Sequence, residues 1–265
     1  MTADKQLKET LDLIVERFNV PEFADSDPVQ FPRRYTRQAD IEISAFLTSI
    51  ISWGKRSMIL RDAERLHGLL GGEPEAFVLE GDIEAIPDDN IHRTFFGQHL
   101  RHALRGLREL YSRYGTLEAF ATAIGAPAAE APAWEIARAM NALFADVNAV
   151  CARPLHGDTR CLPAKVDASA LKRFNMALRW LVRRDGIVDM GIWQALTPAQ
   201  LFIPLDVHSA TTSRRLGLLT RKANDRRAVD ELTANLRRMR PDDPTVYDFA
   251  LFGIGEAKMD VGAEI

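Results

Sequence analysis

VDASALKRFNMALRWLVRRDGIVDMGIWQALTPAQLFIPLDVHSATTSRRLGL, residues 166–218, decides how the chain reads. Its first third predicts a helix over 168–184, with Asp167 or Ser169 able to cap the start. On a wheel of about 100° per residue, Phe174, Ala177, Leu178, Leu181 and Val182 share one arc, which is the core side. The other arc carries Lys172, Met176, Arg179 and Arg183, with Arg173 and Trp180 at its edges. A dense positive face interrupted by apolar surface suits contact with phosphate together with stacking against bases. Pro204 then stops any helix from running through. Asp206 follows as the N-cap of a second helix that passes Arg214 and Arg215 and stops at Gly217. Lys172 and Asp206 are the two residues this stretch singles out: neighbouring arginines disfavour the ammonium form of Lys172 and make it a better nucleophile, while Asp206 by itself reads as a helix cap. Lys165 is the reserve nucleophile.

Working outward, residues 4–18 predict an amphipathic helix. Residues 21–32 form an irregular connection, and Arg33, Arg34 and Arg37 a basic tip. Asp40 is read as the cap of a strongly apolar helix, 41–52, ending in Trp53-Gly54-Lys55-Arg56. Further helices are expected over 57–70, 75–80, 98–113, 117–124, 134–147 and 225–240, and a last one at YDFALFGIGE, capped by Asp248. His99, Arg101, His102, Arg105 and Arg108 are placed on a polar face. The 151–165 segment, with His156 and Asp158, leads into the central helix and is expected to lie over a cleft. No strand, repeat or low-complexity tract is apparent. The fold class read from this pattern is all-α.

Hydrophobic residues make up 46% of the 265 and charged residues 27%, which places the chain among ordinary globular proteins. No run of about 18 apolar residues is present, so no membrane span is expected. Two cysteines, Cys151 and Cys161, fit a reducing cytoplasm; they stand close enough to pair and need not. They also exclude a four-cysteine iron–sulfur cluster. His208 has no second ligand at metal spacing, and neither a metal nor any other cofactor is expected. P-loop, dinucleotide-binding and Ser-His-Asp signatures are absent. A net charge of −3 requires any nucleic-acid footprint to be local.

LDVHSATTSRRLGL resembles a segment of the helix-hairpin-helix DNA glycosylase superfamily, the endonuclease III-like fold. LKRFNMALRW resembles the lysine helix of its archaeal 8-oxoguanine glycosylase branch. DIEISAFLTSIISWGKR, KRFNMALRWLVRRDG and LFIPLDVH are similar to the DUF2400 family over nearly the whole length. The resemblance implies two helical lobes around a cleft, 33–165 and 1–32 with 166–265, and a degenerate hairpin, because no Gly-x-Gly stands between Lys172 and Asp206. It implies base-excision chemistry on double-stranded DNA carrying a damaged, flipped base such as 8-oxoguanine. Lys172 would attack the sugar while Asp206 assists. Arg173, Arg179, Arg183, Arg214, Arg215, Lys55 and Arg56 would bind DNA, with Trp53 as a wedge. His156, Asp158, Trp180 and His208 would line the substrate pocket. The alternatives are a nucleic-acid-binding protein of the same fold without the chemistry, and an unrelated helical enzyme or interaction scaffold.

Overall fold

The computed structural model describes residues 3–257 and 259. The fold is all-α. Its helices are α1 (Ala3–Phe18), α2 (Pro21–Ser26), α3 (Gln38–Ile50), α4 (Arg56–Leu69), α5 (Pro74–Glu80), α6 (Gly97–Tyr114), α7 (Leu117–Ala123), α8 (Pro132–Val150), α9 (Lys172–Val182), α10 (Val207–Arg215), α11 (Arg226–Met239) and α12 (Tyr247–Glu256). A small antiparallel hairpin, β1 (Asn90–His92) and β2 (Phe95–Phe96), corrects the expectation of no strand. Two- and three-residue strands carry too little alternation to show in sequence. No helix among the described residues is long and apolar enough to cross a membrane.

α3 is the axis of the molecule. From Ala39 to Ile50 every residue is buried, which an apolar stripe on one face alone would not produce. It packs against α5 and α9. α6 lies along α8, where Gly106 admits the ring of Phe144. α12 is packed between α1 and α10, and Gly253 lets the ring of Phe18 approach its backbone.

Two buried carboxylates tie this frame together. Glu42, fully buried, accepts hydrogen bonds from Tyr111 Oη (2.9 Å), Trp193 Nε1 (2.7 Å), Gln38 Nε2 (3.1 Å) and the backbone N–H groups of Leu117 (2.7 Å) and Glu118 (3.1 Å). It thus closes the open N-terminus of α7 from another helix. Asp40 does the same for α5, accepting from Glu75 N at 2.8 Å, rather than capping its own helix as its position suggested. The face of α6 read as polar is buried at His99, Arg101, His102 and Arg105. Arg105 is held by Glu84, and Arg101 by Asp88 and the carbonyl of Ile86. The basic tip is likewise engaged: Arg33 with the carbonyls of Ile187 and Val188, Arg34 with Glu64, and Arg37 with Glu75.

Candidate functional site

The central helix starts later than its periodicity suggests. Residues 166–168 form a separate 3₁₀ turn, and Leu171 breaks the chain with φ +47° before α9 begins at Lys172. A buried leucine in the left-handed region is strained, and such strain is retained where surrounding structure enforces it. Neither expected cap forms. Asp167 pairs with Arg138 and Arg226, and Ser169 Oγ accepts from Leu171 N at 3.2 Å. The effect is to place Lys172 on the first residue of a helix, at the wall of a cavity of about 940 Å³.

Asp206 faces it. As the spacing predicted, Asp206 is the N-cap of α10, with Oδ1 accepting from Ser209 N at 2.8 Å and Ser209 Oγ accepting from Asp206 N at 2.9 Å. The second oxygen is left for the cleft: Oδ2 lies 4.0 Å from Lys172 Nζ. The side chains of Lys172 and Asp206 are 31% and 39% exposed, so both can meet a ligand from solvent. One carboxylate thereby both fixes a helix end and addresses an amine.

The basic face of α9 is not a surface. Arg179 and Arg183 are buried and bound to Asp189, Arg179 also to Asp248, and Arg183 also to Asp185 and Asp243. Burial disfavours both guanidiniums, but these aspartates outweigh it and hold their pKa above the usual arginine range. Arg183 does not line the cavity, and Arg179 borders it with its guanidinium already engaged by Asp189 and Asp248. Arg173 closes the other end of α3 by donating to Ile50 O, and its guanidinium lies 5.1 Å from the Trp53 ring. Arg214 spends its donors on the carbonyls of Arg221 (2.8 Å) and Lys222 (2.9 Å) and on Asn224 Oδ1 (2.6 Å). Arg215 remains exposed and reaches Met259 O at 2.7 Å. Trp180 is core, not pocket. His156 and Asp158 are exposed outside the cavity lining; Asp158 pairs with Arg160 at 3.4 Å. Lys165 borders a separate shallow depression and has no access to Asp206 through the cleft. His208 does line the cavity.

The opposite rim is Trp53, Gly54 and Arg56, with Lys55 exposed beside them. It is braced from below. His92, fully buried, bonds Asp62 Oδ2 at 2.7 Å and donates from Nε2 to Trp53 O at 2.8 Å. The turn after β1 carries Arg93, at φ +52°, against Gly54, whose φ is +98°. Among the described residues Lys55, Arg56 and Arg93 form no salt bridge; Arg56 lies 5.0 Å from the Phe252 ring and acts on Asp27 through its charge. Arg160, at φ +58°, offers its carbonyl to Arg173 at 3.5 Å. The three non-glycine residues with positive φ among the described residues thus border the cleft or its rim.

Asp27, Asp248 and Glu256 line the cavity as well, and none was singled out as functional from sequence. Asp27 accepts from Val29 N at 3.0 Å, and burial raises its pKa. Asp248, expected as a helix cap, instead turns into the cavity from the first turn of α12. Burial raises its pKa to about 6, against the pull of Arg179. The available signal was an acidic residue inside an otherwise apolar helix. Cys161 also lines the cavity, but burial pushes its thiol up to about 12, and so it is no competing nucleophile near neutral pH. Cys151 and Cys161 are both free thiols.

The model of the family described as "Protein of unknown function (DUF2400)" matches residues 27–257. No curated protein and no solved structure matches the chain.

Proposed function

The chain belongs to the DUF2400 family, and we propose that its cleft excises a base from DNA, with Lys172 as nucleophile and Asp206 as its proton acceptor. The observation that carries this reading is the Lys172–Asp206 pair, 4.0 Å apart and open to one cavity. Nζ attacks C1′ of a flipped nucleotide. The N-glycosidic bond breaks, and its electron pair leaves with the base. The ammonium proton passes to Asp206. When the C1′–O4′ bond opens, that proton moves to O4′ and leaves a Schiff base between C1′ and Nζ. The cavity lies within the usual range for ligand sites, ~300–1,000 Å³, and Phe23, Phe249, Phe252 and Trp53 offer aromatic surface for an extruded base. The footprint for the duplex contracts from the helices first proposed to the rim of Lys55, Arg56 and Arg93.

Borohydride trapping on duplex DNA containing an abasic site or 8-oxoguanine tests the reading. The expected result is a covalent adduct with the wild type that disappears in Lys172→Ala and weakens in Asp206→Asn. An adduct that survives Lys172→Ala removes the lysine from its role. No adduct, with salt-dependent binding intact, supports the second reading, a nucleic-acid-binding protein without the chemistry. The lack of a glycine hairpin between Lys172 and Asp206 favours that second reading.

A further inference from the structure

Lys172 and Asp206 account for events at the sugar and leave one proton unassigned. A base departing with the electron pair of its glycosidic bond leaves as an anion unless a donor meets it. We propose that Asp248 is that donor, so that one carboxyl group serves the sugar and a second serves the base; this rests on the base-excision reading above.

Asp248 is placed for it. Its side chain is 17% exposed, and what is exposed faces the same cavity as Lys172 and Asp206. Oδ2 is held by Arg179 Nη1, while Oδ1 makes no hydrogen bond among the described residues. The flanking surfaces are the rings of Phe249 and Phe252 on the same helix, with Phe23 edge-on to both at 5.2 and 5.5 Å. That is an aromatic lining suited to a base rather than to a sugar phosphate.

Burial favours retention of a proton, and the surrounding charges divide: cations oppose it and carboxylates support it. Arg179 and Lys172 face it from α9, Asp206 from the N-cap of α10, and Asp189 from the loop after α9. On its far side Asp12 of α1 takes the hydroxyl of the neighbouring Tyr247. Arg179 is shared with Asp189, which divides its hold on Asp248. Burial and neighbouring carboxylates make the ionised form costly. Its pKa of about 6 keeps a protonated fraction available near neutral pH, one that grows as pH falls, and lets the proton be given up in reaction. Asp27 is the other acidic group whose pKa burial raises in the cavity. It caps a 3₁₀ turn through Val29 N, and a backbone donor stabilises its ionised form. In the step itself, Asp248 Oδ–H gives its proton to the departing ring nitrogen as the C1′–N bond breaks and Nζ–C1′ forms. The neutral base leaves, and solvent reprotonates the carboxylate for the next turnover.

The experiment compares base release from an 8-oxoguanine duplex with borohydride trapping at a preformed abasic site, which has no base to protonate. Wild type, Asp248→Asn, Asp248→Glu and Asp27→Asn are each measured from pH 5 to 8. Asp248→Asn should lower release relative to trapping by about 10²-fold, a typical contribution of a general acid. Wild-type release should fall as pH rises through about 6; that limb should vanish in Asp248→Asn and return in Asp248→Glu. Equal loss of release and trapping in Asp248→Asn would make Asp248 a structural partner of Arg179 and overturn the proposal. So would an unchanged ratio, or a limb that persists in Asp248→Asn and disappears in Asp27→Asn. A wild type that traps abasic DNA but releases no base, or does neither, overturns the base-excision reading itself and this inference with it. These outcomes lie in the wild-type measurements and are distinct from a failure seen only in the variants.

Discussion

Glu42 receives five donors, and its removal leaves all but Gln38, which keeps Glu118, without a partner. Glu42→Ala should therefore destabilise the protein by about 3–5 kcal/mol, the usual cost of breaking a buried charged network by taking one member away. Urea unfolding followed by circular dichroism checks it, and Glu42→Gln should lose less because it keeps one acceptor oxygen. Neither Glu42 nor Asp248 stood out from the chain as a functional group. Each is an acidic residue within an apolar run, IEISAFL and YDFALF, and one such letter does not say whether it caps a helix, anchors a fold or faces a ligand. Asp206 was legible because Pro204 and the following helix fix its place locally. Its second role, toward Lys172, depends on a residue that only folding brings near.

At the scale of elements, periodicity located most of the helices and missed the breaks between them. The single helix expected over 168–184 is interrupted because Leu171 adopts a left-handed conformation that no residue type announces. The sign of exposure on α9 was also misread. Arginines at helical spacing look like a solvated face, but their partners, Asp189, Asp243 and Asp248, come from later segments. The α6–α8 contact gives a sharper test of packing. A Cβ on Gly106 would stand 2.1 Å from Cδ1 of Phe144, a ring that is itself 1% exposed. Gly106→Ala should lower stability by about 1–3 kcal/mol through overpacking. Gly68→Ala in α4, with nothing within 4 Å of its added carbon, should raise it by roughly 0.5–1 kcal/mol. Denaturant midpoints of the two variants should move in opposite directions.

For the whole molecule, the net charge of −3 is compatible with a polyanionic partner because the positive residues are unevenly used. Many are consumed internally, and the rim of Lys55, Arg56 and Arg93 is left without salt bridges among the described residues. If duplex DNA docks there, each alanine substitution on the rim should weaken binding and reduce the slope of log K against log salt by about 1. Arg215→Ala, away from the cavity lining, should change the slope less. Fluorescence anisotropy across a salt series measures both. The all-α class was legible from sequence. The narrowness of the footprint was not, since it follows from which arginines the fold takes inward.

The four tryptophans divide unequally. Trp134, Trp180 and Trp193 are fully buried, while Trp53 keeps open surface at the mouth of the cleft, between the ring of His92 and the guanidinium of Arg173. Iodide in solution should therefore quench essentially one emitter, and that emitter stands where a ligand would enter. The protein carries its own optical gauge of occupancy: anything that fills the cleft should shield Trp53 from the quencher, with no label attached and no chemistry required.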